Sequence, residues 1–305
     1  MPDSVSVRVP ATSANLGCLF DCGALALGLY LDVVVKSRKD GRITVKYDGE
    51  TPERVPCDES NLISRTICET LDAWGIKKGF DLEIVNRIPV GVGLGSSAAA
   101  IVAALSASRW LADHNLFDEE IISLATRREG HPDNVAAAWE GGFTLAAQTQ
   151  DRVIAYSCPV PESLQFALVV PNYAVPTEKA REALPDAYSR VDAVHNLQRA
   201  AAMVAQFFSG HTSFQREMFD DRWHQPYRSA LVPGLTEALR FTYPNVLGVC
   251  LSGAGPSILA FVRGNALVVA EAIRELLARN GVESRPFALA ADNRGAKGWS
   301  QPCCN

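Results

Sequence analysis

The stretch Pro89-Val90-Gly91-Val92-Gly93-Leu94-Gly95-Ser96-Ser97-Ala98-Ala99-Ala100 restricts this chain more than any other. Glycines at 91, 93 and 95 remove side chains where backbone must come close to a ligand, and they admit positive φ. The alanine-rich run from Ser96 to Leu111 has high helix propensity, and Phe80 to Val85 reads as a strand before the loop. Strand, glycine loop and helix together aim free N–H groups and a positive dipole end at the loop, an arrangement suited to phosphate. Ser96 and Ser97 add hydroxyls for a phosphate oxygen or for the octahedral shell of a nucleotide-bound Mg²⁺. Taken alone, the same residues also describe a plain helix-capping turn. Two common nucleotide loops are excluded, because the stretch lacks the lysine of GxxxxGK[ST] and its glycines are not spaced as GxGxxG.

The rest of the chain reads as α+β in two lobes. Val5, Val7 and Val9 alternate with polar residues, and Leu31 to Ser37 and Arg42 to Asp48 follow as strands. Asn61 to Trp74 carries helical periodicity. In the second half, strands at Gln165 to Val170, Val246 to Leu251 and Ser257 to Val262 alternate with helices around Ala193 to Phe208, Leu235 to Thr242 and Ala266 to Asn280. With no linker to mark it, the boundary is placed near residues 150 to 165, giving domains 1–160 and 161–305.

A formal net charge of −5 argues against nucleic acid or an anionic membrane as partner, so any anionic ligand must meet local cations. No apolar run approaches a membrane span and no secretory leader is recognised, so the expected compartment is the cytoplasm. The 8 cysteines form no CxxC pair and read as reduced thiols. Cys303 and Cys304 lie in the polar tail AKGWSQPCCN, where fraying is expected; no function is assigned to them.

GLGSSA behind a proline resembles the second motif of the GHMP small-molecule kinases. VRVPATSANLGCLFDCGALAL, Val7 to Leu27, resembles their first motif, and LSGAGPSI, Leu251 to Ile258, their third. Order and separation agree from residue 7 to residue 258. The resemblance implies an N-terminal domain similar to ribosomal protein S5 domain 2, a ferredoxin-like C-terminal domain, ATP as phosphate donor, and Mg²⁺. Within that superfamily, PATSANLG and EGHPDNVA are similar to the homoserine kinase family. That implies L-homoserine as the small-molecule acceptor and a homodimer as the family expectation. Competing readings are another acceptor in the same superfamily (mevalonate, an isoprenoid phosphate, shikimate or a sugar) and a non-catalytic ligand-binding member.

By the same resemblance, Pro89 to Ala99 receive the ATP phosphates, and Asn61 and Leu62 in ESNLI contact adenine. Ser97 and Glu129 hold Mg²⁺. Asn15, Asp21, His131, Asp133, Thr177, Arg181, Arg228 and Gly253 face the acceptor, and Asp133 and Asn134 orient its hydroxyl. Planar guanidinium groups suit an α-carboxylate, and an amide and a carboxylate suit an ammonium and a hydroxyl. Each residue also has an ordinary structural reading: Asn15 as a turn residue, Asp21, Asn61 and Asp133 as helix caps, the arginines as solvated surface. Leu19 departs from the family pattern, which more often has glycine before the phenylalanine, and a side chain there is expected to shift the local turn.

Overall fold

The computed structural model describes residues 4–114, 116–299 and 301–302. The first lobe comprises β1 (Ser4–Asn15), β2 (Leu19–Arg38), β3 (Ile43–Gly49), α1 (Leu62–Ala73), β4 (Gly79–Asn86), α2 (Ser96–Ala112), α3 (Asp118–Glu129), α4 (Asp133–Glu140), β5 (Phe143–Gln148) and β6 (Val153–Cys158). The second comprises β7 (Gln165–Pro171), α5 (Thr177–Glu182), α6 (Arg190–Phe208), α7 (Gln225–Arg228), α8 (Leu235–Leu239), β8 (Val246–Leu251), β9 (Ile258–Val262), α9 (Ala266–Arg279) and β10 (Ser284–Leu289). The chain then returns to the first sheet through α10 (Gly295–Trp299) and β11 (Gln301–Pro302), which pairs with Val5 and Ser6. Cys303 and Cys304, where fraying is expected, lie outside the described residues.

The α+β architecture in two sheets is borne out. In the first sheet the order is β11-β1-β2-β4-β3, with β5 pairing β2 and β6 pairing β5. Its pairs are antiparallel except β3 with β4, which are parallel and joined through α1, as a parallel pair requires. The second sheet runs β10-β7-β9-β8, all antiparallel. Numbered within the lobe, that is 4-1-3-2, the order of a ferredoxin-like βαββαβ unit.

Val5, Val7 and Val9 bury the inward face of β1, and beyond Pro10 both faces are buried, because α2 and α4 pack over this half of the strand. Alanine dominates α2 for a packing reason. Ala98, Ala99, Ala103, Ala104 and Ala107 are all buried between β1, α1, α3 and α4, where short side chains let backbones approach.

Two expected caps are corrected. Asp21 caps no helix; it sits within β2 at φ 55. The N-cap of α4 is Pro132, and Asp133 is its first helical residue, buried. Asn61 does cap α1, accepting from Ile63 N. The helix expected over Leu235 to Thr242 ends at Leu239. Leu19 is accommodated because its side chain lies over Gly23, four residues on in β2: a Cβ at Gly23 would lie 2.7 Å from Leu19 Cδ1.

Candidate active site

The three motif segments meet at one place. Thr12 N donates to Leu94 O (3.1 Å), Gly253 N to Ala14 O (3.0 Å) and Ser257 N to Val92 O (3.2 Å). Ser252 Oγ donates to Gly93 O (2.6 Å) and lies 2.8 Å from Ser13 Oγ. The turn 252–256 is thus wedged between β1 and the glycine loop. Glycine is required by that wedge: at Gly93 (φ 80) a Cβ would lie 2.1 Å from Ser252 O, and at Gly95 (φ 64) 1.9 Å from Thr12 Oγ1.

Gly95 ends the loop in the left-handed region, and α2 begins at Ser96 with Ala99 N bonding Gly95 O. The N–H groups of the preceding turn have no intrahelical acceptor. Beside them Ser97 Oγ donates to Glu129 Oε2 at 2.8 Å, Glu129 being the last residue of α3. Burial pushes the Glu129 carboxyl above the usual carboxylate range, against the opposing pull of Ser97 and His131. Two hard oxygens at a helix N-terminus, one on a carboxylate in want of positive charge, fit a Mg²⁺ that completes its shell with phosphate oxygens and water.

On the other side of the cavity, Asp133 Oδ1 accepts from His131 Nδ1 (2.8 Å), Asn134 N (2.6 Å) and Asn134 Nδ2 (3.1 Å). Its Oδ2 makes no such bond among the described residues. Thr12 Oγ1 donates to Asn134 Oδ1 (2.7 Å), which turns the amide nitrogen of Asn134 toward Asp133. Burial alone lowers the pKa of His131, but the hydrogen bond to Asp133 and the charges of Asp133 and Glu129 outweigh it, so the imidazole lies above its ordinary value.

Charged groups close the far end. Arg181 on α5 makes a bidentate pair with Asp21, both distances 2.9 Å. Arg228 on α7 is 2% exposed and donates from Nε to Ala180 O (3.1 Å) and from one terminal nitrogen to Gly253 O (3.1 Å) and His224 Nδ1 (3.2 Å). No carboxylate of the described residues lies within ion-pair distance of it. Burial, then the charge of Arg181, pulls it down to about 10, which still leaves it cationic at neutral pH. A buried cation without a counter-ion is costly unless a ligand supplies one.

A single cavity of about 360 Å³ gathers these groups. Asn15, Asp21, His131, Asp133, Asn134, Thr177, Arg181, Arg228 and Gly253 all line it, as do Glu129, Ser96, Ser97, Asn61, Leu62, Val90, Gly91, Gly93, Leu94 and Gly95. Pro89, Val92, Ala98 and Ala99 stand behind its wall, buried. The side chain of Asn15 is spent on the protein, accepting from Asp21 N (3.0 Å) and donating to Gly253 O (2.9 Å). That of Asn61 is spent likewise, on Ile63 N and Pro56 O. Leu31, Tyr47, Ile84 and Asn86 also line the cavity and were not foreseen, because on β2, β3 and β4 they look like ordinary strand residues; Val55 and Pro56, in the loop before α1, line it too and carry no motif. Thr12 was missed for a different reason: only its partner 122 positions away gives it a task.

Two family models match the chain. The GHMP kinases N terminal domain matches residues 61–142 and the GHMP kinases C terminal matches residues 196–279. The chain belongs to the GHMP kinases, small-molecule kinases that take phosphate from ATP. Its full-length relatives narrow this. It is 41% identical over 95% of both chains to a homoserine kinase of Solibacter usitatus, and 40% identical to one of Desulfitobacterium hafniense, covering 96% of this chain and 99% of that one. The crystal structure of homoserine kinase from Cytophaga hutchinsonii superposes with a TM-score of 0.83, at 28% identity and 97% coverage of each chain. Within the GHMP kinases, it is a member of the homoserine kinase family. Among the described residues no helix is long and apolar enough to cross a membrane.

Proposed function

We propose that this chain transfers the γ-phosphoryl group of ATP to the side-chain hydroxyl of L-homoserine, giving O-phospho-L-homoserine and ADP. The observation that carries the reading is Arg228, a buried guanidinium with no carboxylate within ion-pair distance among the described residues, facing the same cavity as the phosphate-binding loop. On this reading residues 1–160 supply the nucleotide site and residues 161–305 complete the acceptor site. The phosphates lie along Pro89 to Ala99, and Ser97 and Glu129 hold Mg²⁺, which when bound neutralises phosphate charge. The acceptor carboxylate takes Arg228 and Arg181, and its ammonium takes Asp21. An amino acid can replace both halves of the Asp21–Arg181 pair at once, whereas mevalonate can replace only Asp21 on Arg181, leaving Asp21 without a cation, and a neutral sugar can replace neither.

Phosphoryl transfer passes through a loose transition state, so positioning and charge neutralisation supply most of the catalysis. The bond between the γ-phosphorus and the β,γ-bridging oxygen breaks as the one to the homoserine oxygen forms. Asp133 Oδ2, without a hydrogen-bond partner among the described residues, orients the hydroxyl and takes its proton toward solvent, while Asn134 holds Asp133 in place.

Coupled ADP release measured side by side with L-homoserine, mevalonate, shikimate and galactose tests the acceptor. Turnover is expected with homoserine alone, and no ADP above background with homoserine sinks the proposal. Asp133→Asn is expected to lower kcat by about 100-fold with the KM for ATP nearly unchanged. Unaltered turnover would remove Asp133 from the mechanism.

A further inference from the structure

Arg228 is held on its inner side by a histidine that does not line the cavity. His224 is 0% exposed and precedes α7 as its N-cap. Its Nε2 lies 2.7 Å from Gly17 O and its Nδ1 lies 3.2 Å from a terminal nitrogen of Arg228. A carbonyl only accepts and a guanidinium only donates, so the two partners assign the ring: hydrogen on Nε2, a bare lone pair on Nδ1, no net charge.

What surrounds the ring reinforces this. Asp221 is the nearest acid, its Oδ2 3.6 Å from Nε2, but its oxygens are already engaged by neutral donors. Oδ1 accepts from Asn196 Nδ2 (2.7 Å) and Trp223 N (2.9 Å), and Oδ2 from His224 N (2.9 Å) and Gln225 N (2.7 Å). Asp221 thereby starts α7 and sets His224 and Arg228 one turn apart on one face. On the open side, Phe20 stacks on the imidazole with centroids 5.4 Å apart, and the guanidinium carbons of Arg228 and Arg181 lie 5.4 and 5.9 Å from the centre of the Phe20 ring. The imidazole therefore joins the Gly17 turn of the first motif to the arginine of the second lobe.

We propose that His224 is a positioning residue for the acceptor carboxylate: its neutral Nδ1 fixes the plane and reach of Arg228. The inference rests on Arg228 being a carboxylate ligand, as proposed above. Without the Nδ1 acceptor, that nitrogen of Arg228 keeps only Gly253 O, and the guanidinium turns away from the orientation that presents its outer edge to the cavity.

The test is steady-state kinetics of the full chain with His224→Leu, which offers neither bond, His224→Gln, which keeps one acceptor and one donor, and Arg228→Met. His224→Leu is expected to raise the KM for homoserine about tenfold or more, with kcat and the KM for ATP within about twofold, and His224→Gln to recover most of the loss. If Arg228→Met raises the KM for homoserine and His224→Leu does not, His224 has no such role. If Arg228→Met itself leaves that KM unchanged, the carboxylate reading of Arg228 fails first. The unmutated protein provides a test that does not depend on a variant folding. Its imidazole ¹⁵N spectrum at neutral pH should show His224 as the Nε2–H tautomer, with the Nδ1 signal moving on addition of homoserine and not of a non-hydrolysable ATP analogue. A doubly protonated ring, an Nδ1–H tautomer or a signal indifferent to homoserine overturns the proposal.

Discussion

Replacing Glu129 by glutamine should lower kcat by about 1000-fold while leaving the protein folded, the expected loss when a metal-binding carboxylate is neutralised beside transferring phosphate. Glutamine keeps the shape of the side chain and can still accept from Ser97 Oγ, which lies 2.8 Å from Glu129 Oε2. What it lacks is the charge. Burial already pushes the Glu129 carboxyl above the usual carboxylate range. An acid whose pKa is raised by folding loses stability as pH climbs past its ordinary value, so removing it should cost no stability at neutral pH. Kinetics as a function of Mg²⁺ concentration, set beside a thermal melt without metal, separates the two effects. A variant with unaltered kcat and unaltered Mg²⁺ dependence would show that Glu129 is not a ligand.

Gly93→Ala should have the larger effect on the fold. A Cβ there would lie 2.1 Å from Ser252 O and 2.9 Å from Gly255 N, both backbone atoms of the wedge, and the residue must also keep φ at 80. Strain at positive φ and overpacking together suggest a loss of about 3 kcal/mol or more, with activity falling along with the displaced loop. Gly75→Ala is the matched control. Gly75 has φ 71 and open space where its Cβ would go, so it should lose only about 1 kcal/mol. Urea denaturation of the pair isolates the clash from the strain, and equal losses would mean that the loop yields without cost.

The parts of this molecule legible in its sequence are those whose physics is local. The periodicity of α1, the propensity of α2 and the apolar runs of β7, β8 and β9 name their elements to within a few residues. The strands β5, β6 and β10 were not read at all: they are short, and on β6 Tyr156 and Ser157 face solvent, so no strong alternation or apolar run announces them. Caps failed where tertiary contact outweighs local preference. Asp133 looks like an N-cap because aspartate favours that position, but His131 and Asn134 claim its oxygen. Asp21 and Arg181 both read as candidates for an amino-acid ligand, yet nothing in the sequence says that, 160 residues apart, they pair with each other. His224 was invisible for a similar reason, since its meaning depends on Gly17, 207 positions earlier.

The wedge at 252–256 also bears on how the molecule assembles. Its bonds to Ser13 and Gly93 join residues 239 and 159 positions apart, and β11 adds the last strand beside the first. Closing loops of that length costs entropy before any contact rewards it, so structure of such high contact order forms late. Strands β1 to β6 of the first lobe can pair before the second lobe exists, but the glycine loop gains its last support only once β8 and β9 have formed. Catalytic competence is then among the last properties acquired in folding and among the first lost when the second lobe opens, so activity should decay ahead of helix content as denaturant rises.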